Sequence, residues 1–394
     1  MSNRLRLATT AALAVALGAI GWAFYLTAFR TDLGEDWMVY DNAIRAFLEG
    51  HGAALYDGDR LTALMNARFA DRLPAPLPLH PWLYPPHYLL LLLPFGLFSF
   101  EVSRGLFILA SLAALVSAVC RRAETETERA IIAGSLLLCP ASAITACIGQ
   151  NAFLSAALLV AGMSLAPRRP VLGGIALGIL TYKPQLWLLV PVALIASRQW
   201  KPLAAAAATA AVLGLASIAV MGIEPWRAWI ALMTEPSAVY DKWRIIARLN
   251  GQSLYTDAVL MGAGETLANA TQALGAVAAA GCVWWCHRRP LPGDLRLAVM
   301  LAATMLAAPH VIDYDAVLLG VAATLFFVHA YRQGLADGDV AMALLVWASP
   351  LINPPSVFRI GLVTPLIIVG FIVWMITLDA RCAARRDPSW AEAS

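Results

Sequence analysis

The sequence predicts an all-α, polytopic membrane protein, and three observations carry that class. Of 394 residues, 60% are hydrophobic and only 13% are charged, where soluble domains carry about 45–50% and about 25%. The apolar residues gather into runs that match the roughly 20 residues a helix needs to cross a bilayer core. Basic residues recur at alternate ends of those runs, the pattern that orients membrane helices. An ordinary cytosolic enzyme is thereby excluded. The 28 Lys and Arg against 25 Asp and Glu leave a net charge of +3, which gives no electrostatic footprint for nucleic acid. Six cysteines (Cys120, Cys139, Cys147, Cys282, Cys286 and Cys382) lack the spacing and His partners of a zinc site and read as small buried side chains.

The first span, Leu7 to Phe29, follows Arg4 and Arg6 and has no clear small-residue cleavage site, so it reads as a retained signal anchor. Further spans are predicted over Val102–Cys120, Arg129–Cys147, Ala152–Ala166, Pro202–Gly222, Leu267–Cys286, Leu295–Pro309, Asp315–Tyr331, Val340–Ile352 and Ile360–Leu378. His87–Phe100 is short and broken by Pro94 and Gly96. Counting it as a full span would carry Arg121 and Arg122 to the side opposite Arg4 and Arg6, so it is laid along or partway into the outer interface. Val171–Ser197 has Arg168 and Arg169 before it and Arg198 and Lys201 after it, and Thr181-Tyr182-Lys183-Pro184 breaks its middle. Both ends belong on the inner side, which predicts two half-length helices forming a hairpin.

The resulting map has about 12 membrane segments, some half-length, in one domain covering residues 1–394. Both termini are cytoplasmic, in the plasma (inner) membrane. Two longer stretches, 30–101 and 223–265, face the outside and carry juxtamembrane helices.

In the first of these, Asp32, Glu35, Asp36, Trp37, Tyr40, Asp41 and Asn42 open an amphipathic helix that runs through Ile44, Phe47 and Leu48 to Gly50, a C-cap. Asp36 and Tyr40, four residues apart, share a face. A carboxylate directly after a span can meet a headgroup and deprotonate a hydroxyl; it can equally be an acidic helix start that complements the dipole. The Pro-rich stretch Leu73–Pro86, with His80, Trp82 and Tyr84, and the later Trp226, Trp229, Tyr240 and Trp243, read as belt aromatics. Arg227, Lys242, Arg244 and Arg248, interleaved with the latter, fit a surface-lying amphipathic helix.

Lys183 stands out because the chain has only three lysines and this one lies mid-hairpin, where a charge costs about 2.5–3.5 kcal/mol on insertion scales. A contact with a phosphate accounts for it. Gln150 and Asn151 read either as caps and interhelical glue or as substrate contacts. His310, after Pro309 and before Asp313-Tyr314-Asp315, falls on the same side as Asp36 and Lys183; it reads either as a structural histidine, the commoner case for a lone one, or as a donor to a phosphate or sugar oxygen.

Taken in order, Asp36-Trp-Met-Val-Tyr40-Asp-Asn, Tyr84-Pro-Pro86, Gly149-Gln-Asn151, Gly173-Gly-Ile-Ala-Leu-Gly178 with Tyr182-Lys-Pro184, Gln252-Ser-Leu254, and Pro309-His310 with Asp313-Tyr-Asp315 resemble glycosyltransferase family 87. That family holds integral-membrane enzymes of the GT-C superfamily, among them polyprenol-phosphate-mannose-dependent mannosyltransferases. The resemblance implies a GT-C-type fold, Asp36 as catalytic base, and Lys183 and His310 around a lipid phosphate. The partners it implies are a polyprenyl-phosphate sugar donor, a glycolipid or glycan acceptor and membrane lipids. Tyr40, Gln150, Asn151 and Asp313 complete the candidate substrate contacts.

The reaction so predicted is an inverting hexose transfer at the outer face, the hexose being mannose or similar. It requires no cofactor, because cationic side chains can meet a lipid phosphate; Glu35 beside Asp36 leaves room for a divalent metal. The alternatives are a secondary transporter, against which stands the lack of internal repetition between the two halves, and a lipid-linked glycan flippase or ligase.

Overall fold

The computed structural model describes residues 3–29, 34–234, 251–352 and 362–386. The expectations for Arg30, Asp32, Tyr240, Lys242, Trp243, Arg244, Arg248 and Ile360 lie outside the described residues, as do those for the side chains of Arg4 and Cys382. Among the described residues every regular element is a helix, and extended backbone pairs only at an isolated bridge between Gly251 and Ile312.

Helix α1 (Asn3–Ala28) is followed by α2 (Glu35–Leu48) and α3 (Gly58–Arg68), and then by an irregular strap from Phe69 to Pro85. α4 (Pro86–Leu92) passes at Leu93 into a 3₁₀ turn containing Pro94, so this apolar segment is a short broken helix before α5 (Phe100–Cys120). The span predicted over Arg129–Cys147 is two helices, α6 (Glu126–Leu138) and α7 (Pro140–Ile148), bent by 52°. The cause is Pro140: proline lacks an N–H and pushes the preceding residue out of the helical region, and Cys139 sits at φ −54°, ψ 129°.

α8 (Ala152–Leu165), α9 (Pro170–Ile179), the single turn α10 (Pro184–Trp187), α11 (Leu189–Ala196), α12 (Trp200–Met221) and α13 (Glu224–Thr234) follow. Next come α14 (Leu254–Leu260), α15 (Glu265–Arg288), α16 (Gly293–Ala307), α17 (Val317–Gln333), α18 (Asp337–Trp347), α19 (Ser349–Ile352) and α20 (Val363–Arg386). The span predicted over Val340–Ile352 is therefore also split, into α18 and α19, at Ala348 just before Pro350.

Among the described residues, five helical stretches are long and apolar enough to cross a membrane, Leu5–Ala28, Phe100–Cys120, Trp200–Met221, Glu265–Arg288 and Asp313–Gln333, and the bent α6–α7 pair makes a sixth if it is one span. Shorter apolar helices fill the space between them. The protein is an all-α polytopic membrane protein. Its apolar side chains follow membrane logic: α17 is buried along almost its whole length, while Leu13, Ile20, Val212, Leu215, Leu274 and Val277 on α1, α12 and α15 point outward, where lipid takes the place of a protein core.

The glycines of α9 set the course of the hairpin segment. A Cβ at Gly174 would lie 2.5 Å from the Pro202 carbonyl oxygen, and one at Gly178 2.6 Å from the Ala206 carbonyl oxygen, so α9 and α12 pack backbone to backbone. Residues 174 and 178 meet successive turns of α12 in the same order. The two helices thus run parallel, and the chain reverses between them through α10 and α11.

Three helices connect the same two ends of the molecule. α1 has Tyr25 at one end and Arg6, paired with Asp337, at the other. α5 begins beside Trp37, whose indole donates to Ser103, and ends at Arg121 and Arg122. α17 begins beside Asp315 and ends at Arg332. Asp36, Asp313 and Asp315 lie at the first end, and at the second, the arginine end, Arg122 and Arg332 are knitted to Glu128 and Asp294.

Candidate active site

At the first end lies a cavity of about 430 Å³. Its walls are the start of α2, the strap, the ends of α1 and α7, the turn around Lys183, α13, and the 3₁₀ turn Asp313–Ala316. Asp36, Tyr40, Gln150, Lys183, His310 and Asp313 all line it. Of the seven predicted site residues, only Asn151 does not.

Asp36 is placed by two glycines. Gly34, at φ 88°, starts α2 and donates its N–H to the Cys147 carbonyl at 2.8 Å. Gly149, at φ 79°, ends α7, and a Cβ there would come within 2.6 Å of the Trp37 Cβ. Only glycine allows both this left-handed backbone and this approach. The two helix ends therefore abut, which brings Gln150 to Asp36.

Gln150 Nε2 donates to Asp36 Oδ2 at 2.9 Å. Its Oε1 accepts from the Tyr40 hydroxyl and from the Asn151 N–H at 2.7 Å, and the Tyr84 hydroxyl, 3.1 Å away, can donate either to it or to Tyr40. With its oxygen so committed, the amide can present only its NH₂ to the carboxylate. Asn151 stands behind this arrangement: its side chain is fully buried and its amide donates to the Tyr88 hydroxyl at 3.1 Å. Its side chain does not line the cavity.

Burial, and next the negative charge of Glu35, push the Asp36 carboxyl up to about 6, against the opposing pull of His80, the Gln150 hydrogen bond and Lys183. A carboxylate so tuned is ionised at neutral pH yet basic enough to accept a proton.

Lys183 follows the 3₁₀ turn Leu180–Tyr182 and is 2% exposed. Its Nζ lies 2.8 Å from Asp315 Oδ1, with the Tyr314 ring 5.0 Å away. Asp315 is 3% exposed, and its other oxygen accepts the Ile312 N–H at 3.3 Å. The partner answers the insertion penalty, because a buried cation is tolerated when paired. An ammonium has three N–H donors, and Asp315 takes one. Asp313 is buried in the same turn, and His310 is exposed at the cavity wall.

Sequence reasoning missed the part played by the strap. Trp82 and Tyr84 are not belt residues: Trp82 is fully buried, its ring stacks near that of Tyr88, and Tyr84 hydrogen-bonds Tyr40 at 2.7 Å. His80 lines the cavity with Nε2 2.5 Å from Glu35 Oε1. Trp229 of α13 donates to the Leu83 carbonyl at 3.1 Å, so the second loop docks on the first. Contacts between residues so far apart in sequence leave no periodic trace; the one local signal was the density of aromatics in the strap. Among the described residues, no three His, Cys, Asp or Glu side chains are grouped to hold a metal ion. The five described cysteines are free thiols.

A sequence model of glycosyltransferase family 87 matches residues 82–309, more than half of the chain. The match holds Gln150, Asn151 and Lys183; Asp36 and Tyr40 precede it, and His310 and Asp313 follow it. Comparison with curated proteins and with solved structures returns no match.

Proposed function

The chain belongs to glycosyltransferase family 87, and from that membership we propose that it moves a hexose, mannose or a close relative, from a polyprenyl-phosphate donor to a hydroxyl of a glycolipid or glycan. The observation that carries this reading is that Asp36, Lys183 and His310, separated by more than a hundred residues from one to the next, line one cavity. Glycosyltransferase membership removes the ground for the secondary-transporter alternative.

In the proposed step the acceptor oxygen attacks the anomeric carbon from the face opposite the phosphate. The bond from that carbon to the phosphate oxygen breaks, its electron pair leaves with the phosphate, and Asp36 takes the acceptor proton. One displacement inverts the anomeric centre. Gln150 holds Asp36 Oδ2, which orients the carboxylate and leaves Oδ1 to the acceptor. The departing lipid phosphate gains a negative charge, for which His310 and the remaining donors of Lys183 are the partners. No step in this scheme calls for a metal.

The active site is assigned to the outer face of the plasma membrane, with both termini cytoplasmic. The gathering of Arg6, Arg122 and Arg332 at the opposite end supports that orientation through the positive-inside bias.

The test is transfer by the purified protein in detergent, with a defined polyprenyl-phosphate mannose or a nucleotide-linked mannose as donor, and with the product's anomeric configuration read by NMR. Transfer from the lipid donor with inversion is the expected result. Transfer from the nucleotide sugar alone would overturn the donor class, and retention would overturn the single displacement.

A further inference from the structure

The cavity wall contains an acid–base pair that the transfer scheme leaves unused. His80 projects from the strap with Nε2 2.5 Å from Glu35 Oε1 and Nδ1 2.7 Å from the Pro78 carbonyl oxygen. A carbonyl oxygen only accepts, and an ionised carboxylate only accepts. A neutral imidazole has one N–H, so either tautomer would set a lone pair against one of these oxygens. Shifting the shared proton onto Glu35 reverses the ordinary order of acidities, in which a carboxylic acid is stronger than an imidazolium by about two pH units. The geometry therefore calls for a doubly protonated ring.

That charge sits where it matters for Asp36. Glu35 and Asp36 are consecutive in the first turn of α2, and both line the cavity. The negative charge of Glu35 opposes ionisation of Asp36. Asp36 also faces Lys183, already paired with Asp315, and the phenols of Tyr40, Tyr84 and Tyr314, while Asp313 and His310 lie elsewhere on the wall. The charged groups facing His80 are Glu35 and Asp36. We infer that His80, held as an imidazolium by Glu35 and the Pro78 carbonyl, is a positioning residue that cancels the Glu35 charge and so keeps Asp36 ionised as the base.

The inference rests on the reading of Asp36 as base. The strap does not depend on this pair for its place: the Asn66 amide bonds the Leu77 backbone in both directions, Thr62 accepts the His80 N–H, and Tyr56 donates to the Tyr84 carbonyl. A change at the His80 ring therefore leaves the wall anchored.

The experiment is the pH dependence of transfer from polyprenyl-phosphate mannose for wild type, His80→Gln, His80→Lys and Glu35→Gln. The acid limb should move up by about one pH unit in His80→Gln, stay in place in His80→Lys, which restores the cation, and move down in Glu35→Gln. Limbs that do not move, or that move the same way in His80→Gln and Glu35→Gln, would show His80 to be a mere strap anchor. Ring nitrogen NMR of ¹⁵N-histidine-labelled protein, with the His80 signal identified by its loss in His80→Gln, gives a readout independent of activity. An imidazolium at pH 7.5 is expected, and a neutral ring at that pH would overturn the inference. Unmoved limbs in an enzyme that still needs Asp36 remove this inference alone, whereas a transfer-competent Asp36→Asn enzyme removes the base reading and the inference with it.

Discussion

The two ends of the helix bundle handle charge in opposite ways. At the arginine end, Arg332 spans Glu128 at 2.6 and 3.0 Å, Asp294 at 2.8 Å and the Arg122 carbonyl at 2.8 Å. Arg122 returns to Asp294 and reaches Ser164. Each of these groups is held by several others, as in a network whose work is to fix helix ends. At the cavity end, Asp36 has a neutral amide as its hydrogen-bond partner and Lys183 has one carboxylate. Bonding capacity is left over there, and leftover capacity is what a substrate can engage. The contrast separates charge that holds the fold from charge available for reaction, and it can be tested from either end.

The largest effect is expected at Asp36. Asp36→Asn keeps the shape and removes the base, so turnover should fall by about 10²–10⁴-fold, measured as initial transfer rate, with membrane insertion unchanged. In wild type the rate should fall as pH drops through about 6, where Asp36 takes up a proton. Stability should move the other way. The folded-state pKa of Asp36 lies above its unfolded value, so the folded protein binds this proton more tightly, and the ionised carboxylate weakens the fold once pH rises through about 6. Asp36→Asn should therefore raise the melting temperature at pH 8, and the gain should vanish near pH 4. A variant that melts below wild type at pH 8 would show that the carboxylate supports the fold rather than straining it.

How far the sequence displays these two ends depends on what kind of signal each part leaves. Hydropathy leaves a long-range, additive signal, and from it the all-α membrane class, most of the apolar helices and the break at Lys183 could be read. Asp36, Lys183 and His310, which line one cavity, stood out in the sequence because a polar group beside a membrane span needs a reason. Pairings were invisible: nothing in spacing links Lys183 to Asp315 or Glu35 to His80, since such contacts are made by packing after the helices are placed. Asn151 looked equivalent to Gln150 because neighbouring amides share a composition signal, and only the direction of the chain after Gly149 turns one toward the cavity and the other toward Tyr88.

The next effect is on stability at the cavity end. Lys183→Ala leaves Asp315 buried without its cation, a change that typically destabilises by about 3–5 kcal/mol, to be read from thermal unfolding in detergent. Lys183→Met with Asp315→Asn removes both charges and should recover most of that loss. If Lys183 also meets the donor phosphate, the double variant folds and still fails in transfer. Recovery of turnover along with stability would make the pair purely structural and move it into the same category as the arginine end.

At that other end, Arg332→Ala leaves Glu128 and Asp294 with fewer donors but with some access to solvent, since the Arg332 side chain is itself 17% exposed. The expected destabilisation is about 1–3 kcal/mol, with turnover of the folded fraction close to wild type. A loss of turnover per folded molecule comparable to that of Asp36→Asn would break the separation of the two ends.

The smallest predicted effect is the most discriminating about how the cavity is organised. Gln150 contributes no charge and transfers no proton, yet it joins Asp36 to the hydroxyls of Tyr40 and Tyr84 and to the end of α7. Gln150→Leu keeps the approximate volume and removes that junction. The carboxylate then loses a hydrogen bond that favours its ionised form, so its pKa should rise and the acid limb of the rate profile should shift upward. It also loses its fixed orientation, which should lower the plateau rate at high pH by about tenfold, a modest misplacement penalty. A reduced plateau with an unmoved limb would mean that Gln150 orients Asp36 without tuning it. A moved limb with a normal plateau would mean that the helix start at Gly34 suffices for orientation. If neither changes, the Gln150 bond belongs with the shape-holding contacts of the arginine end, and the division between the two ends would have to be redrawn around Asp36 alone.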